Sequence, residues 1–368
     1  MKILQISFSL SSGGAERFVV DLSNELAESN DVTLLTLKDD KVDPQQSQFY
    51  KFDLSDKVKY ENLGLPQKYS PLNLWKVYRY IKKFNPDVVH MHAVGMPKFC
   101  MLANWLLGKK MTFVQTIHND MRNGYNSFIY DFVHATLGRM KMIRFAAISD
   151  TNFKDLRRIY PQSMAAFINN GRAPIKRTDR FDEVRNEINS FKKDSNTKVV
   201  LHVARCHPQK NQQLLVRGVN LLVKKGVNMT LVILGSGYDG EDGAKLKSMA
   251  CDSIHFLGPK TNVGDYFYNA DVFTLSSSFE GMPITLLEAM LSGVPVVSTP
   301  VCGAVDVIDG RNGELSKSFE VEDYAKALAS VIENNEFYKK HALEGMNDSP
   351  YTIKRCAEKY MEFYKRET

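Results

Sequence analysis

Two glutamates eight positions apart, Glu280 and Glu288, carry the most specific chemistry in this chain, within the segment FEGMPITLLEAMLSGVPVVST. The first lies in a Gly-Pro loop with Gly281 and Pro283; the second falls one to two turns into the apolar helix predicted to follow. Proline suits the opening of a helix, where its missing N–H would have no intrahelical acceptor. The amides of Ile284 and Thr285 are then free to face an anion, and the helix dipole favours negative charge at that end. One short element thus offers a phosphate cradle and two carboxylates, each able to accept from a pair of sugar hydroxyls. The same pattern also suits an ordinary amphipathic helix with two solvated glutamates.

Other groups could act beside them. In VARCHPQKN, Arg205 and Lys210 are two cations five residues apart across a turn containing Pro208. Such a pair can clamp two phosphates, Arg as a bidentate fork and Lys as a point charge, or it can be a solvated turn. The first predicted strand runs into Gly13-Gly14 (SFSLSSGGAER), where glycine lets backbone approach a ligand closely or simply makes a tight turn. His118, in TIHND, ends a predicted strand and is expected to point into a cleft; a structural histidine is the other reading. The run GSGYDG from Gly235 to Gly240 matches G-x-G-x-x-G to the letter. It follows the second strand of its half, however, and Gly258-Pro259-Lys260 stands where a ribose-binding acid is wanted, which argues against a nicotinamide site. His202, Cys206 and His207 lie close together without an obvious fourth ligand, so no zinc is expected. There is no strict D-x-D motif, so neither an obligatory divalent metal nor a cofactor is predicted.

The elements that must position these groups alternate. A chain of 368 residues exceeds what one core usually supports. Short apolar runs separated by helical patterns predict parallel sheets covered by helices. In the first half, strands are predicted over residues 3–8, 32–37, 87–91, 112–117, 145–148 and 166–168, with helices over 15–28 and 72–84. Residues 39–70 read as a polar excursion with a strand near 58–62. A polar stretch over 171–180 marks an interdomain linker. Beyond it, strands are predicted over 199–203, 230–234, 255–257, 272–275 and 294–298, and helices over 212–224, 244–249, 263–270, 284–292 and 321–334, with a last helix over 350–366. The expected architecture is α/β: two doubly wound, Rossmann-like parallel-sheet domains facing a cleft.

Composition narrows the partners. Residues 1–172 hold 23 Lys and Arg against 16 Asp and Glu, whereas residues 173–368 hold 25 against 26, so only the first half calls for an anionic partner. No nucleic-acid motif accompanies that charge. Five scattered cysteines, with no C-x-x-C pair, read as reduced thiols rather than a disulfide framework. No apolar run approaches the ~18–20 residues of a membrane span, and the opening MKILQISFSLSSGG reads as a strand rather than a leader, so the cytosol is the expected compartment. The predicted helix LNLWKVYRYIKKF mixes Trp75, Tyr78, Tyr80 and Phe84 with Lys76, Arg79, Lys82 and Lys83, and residues 97–110 add Phe99, Met101, Trp105 and Leu106 beside Lys109 and Lys110. Such helices can lie on an anionic bilayer surface or merely cover a sheet with a solvated basic face.

The E-x7-E segment, the G-G-A-E turn and the R-x4-K element resemble the retaining glycosyltransferases of family 4, which have the GT-B fold. The strings AISD at Ala147 and NNG at Asn169 also resemble landmarks of that family, and the likeness spans nearly the whole chain. The resemblance implies an N-terminal acceptor-side domain over 1–172, joined by the final helix over 350–368, and a nucleotide-sugar domain over 173–349. It also implies roles: Glu280 on hydroxyls of the transferred sugar, assisted by the amides of Gly281, Met282 and Ile284; Glu288 on the ribose; Arg205 and Lys210 on the pyrophosphate. Gly14 and Gly235 would approach the diphosphate, His118 would touch the donor sugar or diphosphate, and Glu16 would be structural, as would His90 and His92. Two departures stand out. Ala204 and Cys206 replace the commoner glycine and leucine, and the loop Cys302-Gly303-Ala304-Val305-Asp306 lacks the usual glycine pair followed by glutamate.

The implied activity is transfer of a sugar, with retention, from a nucleotide-sugar (a UDP-sugar foremost) to a saccharide or lipid-linked saccharide in surface polysaccharide synthesis. Peripheral contact with the inner membrane face would accompany it. The competing readings are a GT-B-like epimerase or hydrolase acting on the same donor, and a non-catalytic nucleotide-sugar-binding module.

Overall fold

The computed structural model describes every residue except 67–69, 93–94, 108–109, 119–141, 162, 348 and 366–368. Lys109, named above, and the last position of the helix predicted over 350–366 lie outside the described residues. The chain divides into two compact units, Met1–Ala173 with Pro350–Thr368, and Pro174–Ser349.

Unit 1 is a parallel sheet of β1 (Lys2–Ser7), β2 (Asp31–Lys38), β3 (Val58–Leu65), β4 (Val88–Met91), β5 (Thr112–Ile117), β6 (Arg144–Ala147) and β7 (Met164–Phe167). Its order is β3-β2-β1-β4-β5-β6-β7. Unit 2 is a second parallel sheet of β8 (Lys198–Val203), β9 (Met229–Leu234), β10 (Ile254–Phe256), β11 (Val272–Leu275), β12 (Val296–Ser298) and β13 (Gly313–Leu315), in the order β10-β9-β8-β11-β12-β13. Each sheet therefore winds outward one way from its first strand and the other way from its fourth. Loops leaving those two strands diverge at their carboxyl ends and open a crevice there, which is where such sheets hold ligands.

Apolar burial explains why these segments are strands. Ile3, Leu4 and Ile6 of β1 are fully enclosed, as expected of a central parallel strand covered on both faces. The helix Gly14–Ala27 buries Phe18, Val19, Leu22 and Leu26 against the sheet. The final helix, Ile353–Lys365, returns to unit 1 and buries Tyr360, Phe363 and Tyr364. Arg144 Nη1 donates to Phe363 O at 2.8 Å and Tyr364 O at 3.2 Å, satisfying carbonyls that the end of that helix leaves without intrahelical donors. Asp21, on the first helix, takes Arg17 at 2.5 Å and Arg172 at 2.6 Å, and its carboxylate is almost wholly enclosed. A buried carboxylate is tolerable because both cations and their hydrogen bonds neutralise it.

In unit 2 the helices Gln212–Lys224 and Val321–Glu333 pack together over the sheet. Gly218 allows this approach, since a Cβ there would lie 3.0 Å from the Tyr324 ring.

Several elements differ from expectation. The strand foreseen near 58–62 runs on to Leu65, preceded by short helical turns at Pro44–Ser47 and Lys51–Asp53. The helix Phe181–Ser190 begins directly after the polar stretch over 171–180. The three-residue edge strand β13 carries no periodic signal, and its pairing needs Gly313, whose Cβ would meet Val296 O at 2.0 Å. The helix Asn335–Asn347 was likewise not foreseen.

Candidate functional site

The loops leaving β8 and β11 are zipped together. After β8 the chain makes a single 3-10 turn, Pro208–Lys210, in which His207 Nδ1 accepts from the Gln209 amide at 3.2 Å. After β11, Ser276 Oγ donates to Lys210 O at 2.8 Å, and the Ser278 amide donates to Gln209 O at 2.8 Å. Gln209 Nε2 answers with a 2.9 Å bond to Phe279 O. Backbone is thus held to backbone across the point where the sheet reverses its winding.

That zipper sets the charged groups. Lys210 Nζ lies 2.5 Å from Glu280 Oε1, and Ser277 Oγ donates to the same oxygen at 2.7 Å. Thr299 Oγ1 donates to Ser277 O at 2.6 Å, fixing the serine from the neighbouring strand end. Glu280 is only 8% exposed, yet its Oε2 bonds no described residue, so one oxygen is saturated and the other remains open. A single carboxylate oxygen presented this way can accept from hydroxyls of a bound ligand.

Arg205 differs from Lys210. Its side chain is exposed and pairs with no described carboxylate, while its backbone is anchored by Gln212 Nε2 donating to its carbonyl at 2.8 Å. Tyr238 OH secures the preceding carbonyl, Ala204 O, at 3.0 Å. Gly235 makes the close approach of the β9 loop feasible: its φ is +145°, and a Cβ would sit 2.0 Å from Ala204 O. The G-x-G-x-x-G run therefore packs two loops together. The helix after it, Glu241–Met249, opens with Glu241 and Asp242, whose charges would repel a pyrophosphate at that terminus.

The helix Ile284–Leu291 carries the rest. Pro283 stands at its cap, one position before the first turn, and accepts from the Leu286 and Leu287 amides at 3.2 and 3.4 Å. No side chain caps this helix, which leaves the Ile284 and Thr285 amides available. Met282 and Ile284 are buried beneath it, and Glu288 is also nearly enclosed. Gly303, with φ +73°, lets the departed-from loop close on this segment, because a Cβ there would lie 2.4 Å from Gly281 O.

Unit 1 places its candidates at the carboxyl ends of β1 and β5. Gly14 is the first residue of its helix and Gly13 the cap. The Glu16 carboxylate folds back over Gly13, accepting from Ser11 Oγ at 3.4 Å, where a Cβ on Gly13 would come within 2.2 Å of it. That is a structural role for Glu16. His118 is half-buried beyond β5, and its Nε2 lies 3.3 Å from His92 Nδ1. Burial pushes the His118 imidazole down to about 4, so it is neutral at pH 7.

Lys210, Glu280 and Ser277 are thus brought into contact, with Arg205 and Gly235 in the loops packed beside them, and Gly281, Met282, Ile284, Thr285 and Glu288 on the continuing segment. Gly14 and His118 belong to the other unit. His202 is fully buried and bonds Thr274 O at 2.9 Å, and His207 serves its own turn, so neither is turned toward a shared metal. Ser276, Ser277 and Gln209 were not foreseen. Their signal was the polar run Ser276-Ser277-Ser278 directly at the end of an apolar strand.

Comparison with known proteins identifies the family and the fold. Residues 12–172 match the family model described as Glycosyltransferase Family 4, and residues 183–345 match that of Glycosyl transferases group 1. The chain belongs to the glycosyltransferases of family 4, and its fold is GT-B. Over 340 residues it is 24% identical to the capsular polysaccharide biosynthesis glycosyltransferase CapH of Staphylococcus aureus, covering 86% of this chain and 88% of CapH. It matches EpsF of Bacillus subtilis at 31% identity over 150 residues, spanning 39% of either chain. Among solved structures, HepE of Anabaena in complex with UDP and glucose superposes with a TM-score of 0.79 at 18% identity, over 99% of both chains.

Proposed function

We propose that the protein transfers a sugar from a UDP-sugar to a saccharide or lipid-linked saccharide acceptor, with retention of anomeric configuration. The observation that carries this reading is the Lys210–Glu280–Ser277 contact beside the unpaired Arg205. Arg205 and Lys210 would hold the diphosphate, joined by the Ile284 and Thr285 amides, so that charge developing on the leaving phosphate meets preorganised donors. The open oxygen of Glu280 would accept from hydroxyls of the transferred sugar, with the Gly281 and Met282 amides nearby, and Glu288 from the ribose. Gly235 serves this site by packing its loop against the Arg205 turn. On the family resemblance, Gly14 is assigned to the diphosphate and His118 to the donor. No carboxylate nucleophile is invoked: the departing phosphate oxygen takes the proton of the acceptor hydroxyl on the face it leaves.

UDP is favoured as the nucleotide because HepE, of the same fold, is described in complex with UDP and glucose. Bound donor raises the melting temperature by mass action, so a thermal-shift series with UDP-, GDP- and ADP-sugars tests the choice. Stabilisation by UDP-sugars is expected; stabilisation by GDP- or ADP-sugars alone would reassign the base. An NMR time course of the product anomer tests retention, and early appearance of the inverted anomer contradicts it.

A polysaccharide-type acceptor fits the likeness to CapH. The exposed face of the helix Pro71–Phe84 supports access from an anionic membrane surface at the inner face. Trp75 and Leu72 project from it, Arg79 lies 4.7 Å over the Trp75 ring, and Lys82 and Lys83 close the same groove. Tyr78, Tyr80 and Phe84 pack partly against the core, and Tyr78 and Tyr80 also line that groove. No described helix is long and apolar enough to cross a membrane. Flotation with anionic liposomes should carry the protein upward; failure to float with either anionic or neutral vesicles removes the membrane contact.

A further inference from the structure

Unit 1 contains a chain of hydrogen bonds that the donor reading leaves unused. Gln5 on β1, His92 just after β4 and His118 just after β5 stand in a row, because these strands are neighbours and alternate residues share a sheet face. His92 Nε2 meets Gln5 Oε1, and His92 Nδ1 lies 3.3 Å from His118 Nε2. Phe18 packs beside both rings, with centroids 6.0 and 5.4 Å away. A neutral imidazole has one N–H and one bare nitrogen, and an amide oxygen only accepts. With the Gln5 oxygen facing the ring, and Gln5 Nε2 left buried without a partner among the described residues, His92 donates from Nε2 and its Nδ1 is bare. His118 must then donate from Nε2, which leaves its own Nδ1 without a proton.

We propose that Gln5 and His92 are positioning residues that hold His118 in its Nε2–H tautomer, so that its bare Nδ1 accepts a hydroxyl proton from the sugar substrate. This rests on the assignment of His118 to the donor made above. It also sharpens that assignment, since a bare nitrogen and a phosphate oxygen are both acceptors and repel; His118 serves the sugar, not the diphosphate. Burial supports the neutral state, holding His92 well below the usual imidazole range. His90 braces the row from the final helix, with Nδ1 at 2.6 Å from Tyr364 OH and Nε2 at 2.7 Å from Thr116 Oγ1.

Long-range proton–nitrogen NMR on the full chain labelled with 15N-histidine reads the tautomer without any ligand, with His118→Ala assigning the signal. The unaltered protein should show His118 protonated at Nε2. Gln5→Leu removes the accepting oxygen and should give a mixture of tautomers, and Gln5→Glu should restore the single one. In turnover, Gln5→Leu should lower kcat about tenfold while leaving KM for the donor within about twofold. A proton on His118 Nδ1 in the unaltered protein overturns the proposal, as does an unchanged tautomer in both Gln5→Leu and His92→Phe. Absence of transfer by the unaltered protein, with the expected tautomer present, would overturn the activity and the hydroxyl role while leaving the hydrogen-bond row standing.

Discussion

The two units wind their sheets in the same order and furnish the equivalent loops with opposite chemistry. At the ends of β1, β4 and β5, unit 1 sets neutral, buried imidazoles and an amide against one another. At the ends of β8 and β11, unit 2 sets a lysine against a glutamate, with an exposed arginine in the same loop that pairs with no described carboxylate. His92 and Glu280 are both enclosed, so the difference between the two places lies in compensation. Histidine can shed its charge when enclosed and persists as a hydrogen-bonding dipole. Arginine cannot, and the lysine and glutamate are instead set in contact with each other, so the second arrangement suits a ligand that brings its own anion and its own hydroxyls. On the function proposed above, one topology would serve a charged diphosphate in one unit and neutral groups in the other, according to which side chains end the strands.

The largest expected effect comes from Glu280→Ala. Removing the carboxylate leaves Lys210 and Ser277 without their acceptor and the sugar hydroxyls without theirs, so kcat/KM should fall by roughly a hundredfold or more, read by steady-state turnover of UDP-sugar. An unaffected rate would mean that Glu280 takes no part in turning over the donor. Ser277→Ala should cost about tenfold, the worth of one hydrogen bond to a charged group, with thermal stability little changed. An effect as large as that of Glu280→Ala would mean that the serine does more than orient the carboxylate.

Acid should separate the units. Burial depresses the folded-state values of His90, His92 and His118 in unit 1 and of His202 and His255 in unit 2, those of His118 and His202 to about 4. Below about 6.5 the unfolded chain binds protons that the folded state refuses, so stability is intact above that pH and is lost as pH falls toward 4. With three such histidines against two among the described residues, and the pair in contact at His92 and His118, unit 1 should lose hydrogen-exchange protection first on acidification. Equal loss in the two units would mean that its imidazoles are not held neutral. The smallest effect is expected from Cys302→Ser in the loop that closes on Gly281, a change of less than about threefold in kcat/KM, because Gly303 rather than the thiol shapes that approach.

Much of this comparison was legible in the sequence, and the reasons are physical. Parallel strands such as β1, β5 and β8 announce themselves by short, largely apolar runs, and the helix Gln212–Lys224 by its period. The charged residues of unit 2 were readable because glutamate, arginine and lysine beside Gly and Pro have few other uses at a strand end. The contacts were not. That Lys210 meets Glu280, or that Ser277 shares the same oxygen, depends on which strands are neighbours, and β8 and β11 are some seventy residues apart in sequence. The histidine row was hidden for the same reason: Gln5 and His92 touch only because β4 pairs with β1. Short elements such as β13 lacked any signal, being fixed by a single glycine that admits a neighbouring carbonyl.

The central claim is that the loops after β8 and β11 hold the diphosphate of a UDP-sugar through Arg205 and Lys210. Calorimetric titration of UDP into the intact protein and into Arg205→Ala tests it most directly. The account predicts measurable binding by the intact protein and a weakening of about ten- to a hundredfold in the variant, the worth of a charge-assisted contact to phosphate. UDP bound equally well by both proteins would contradict it.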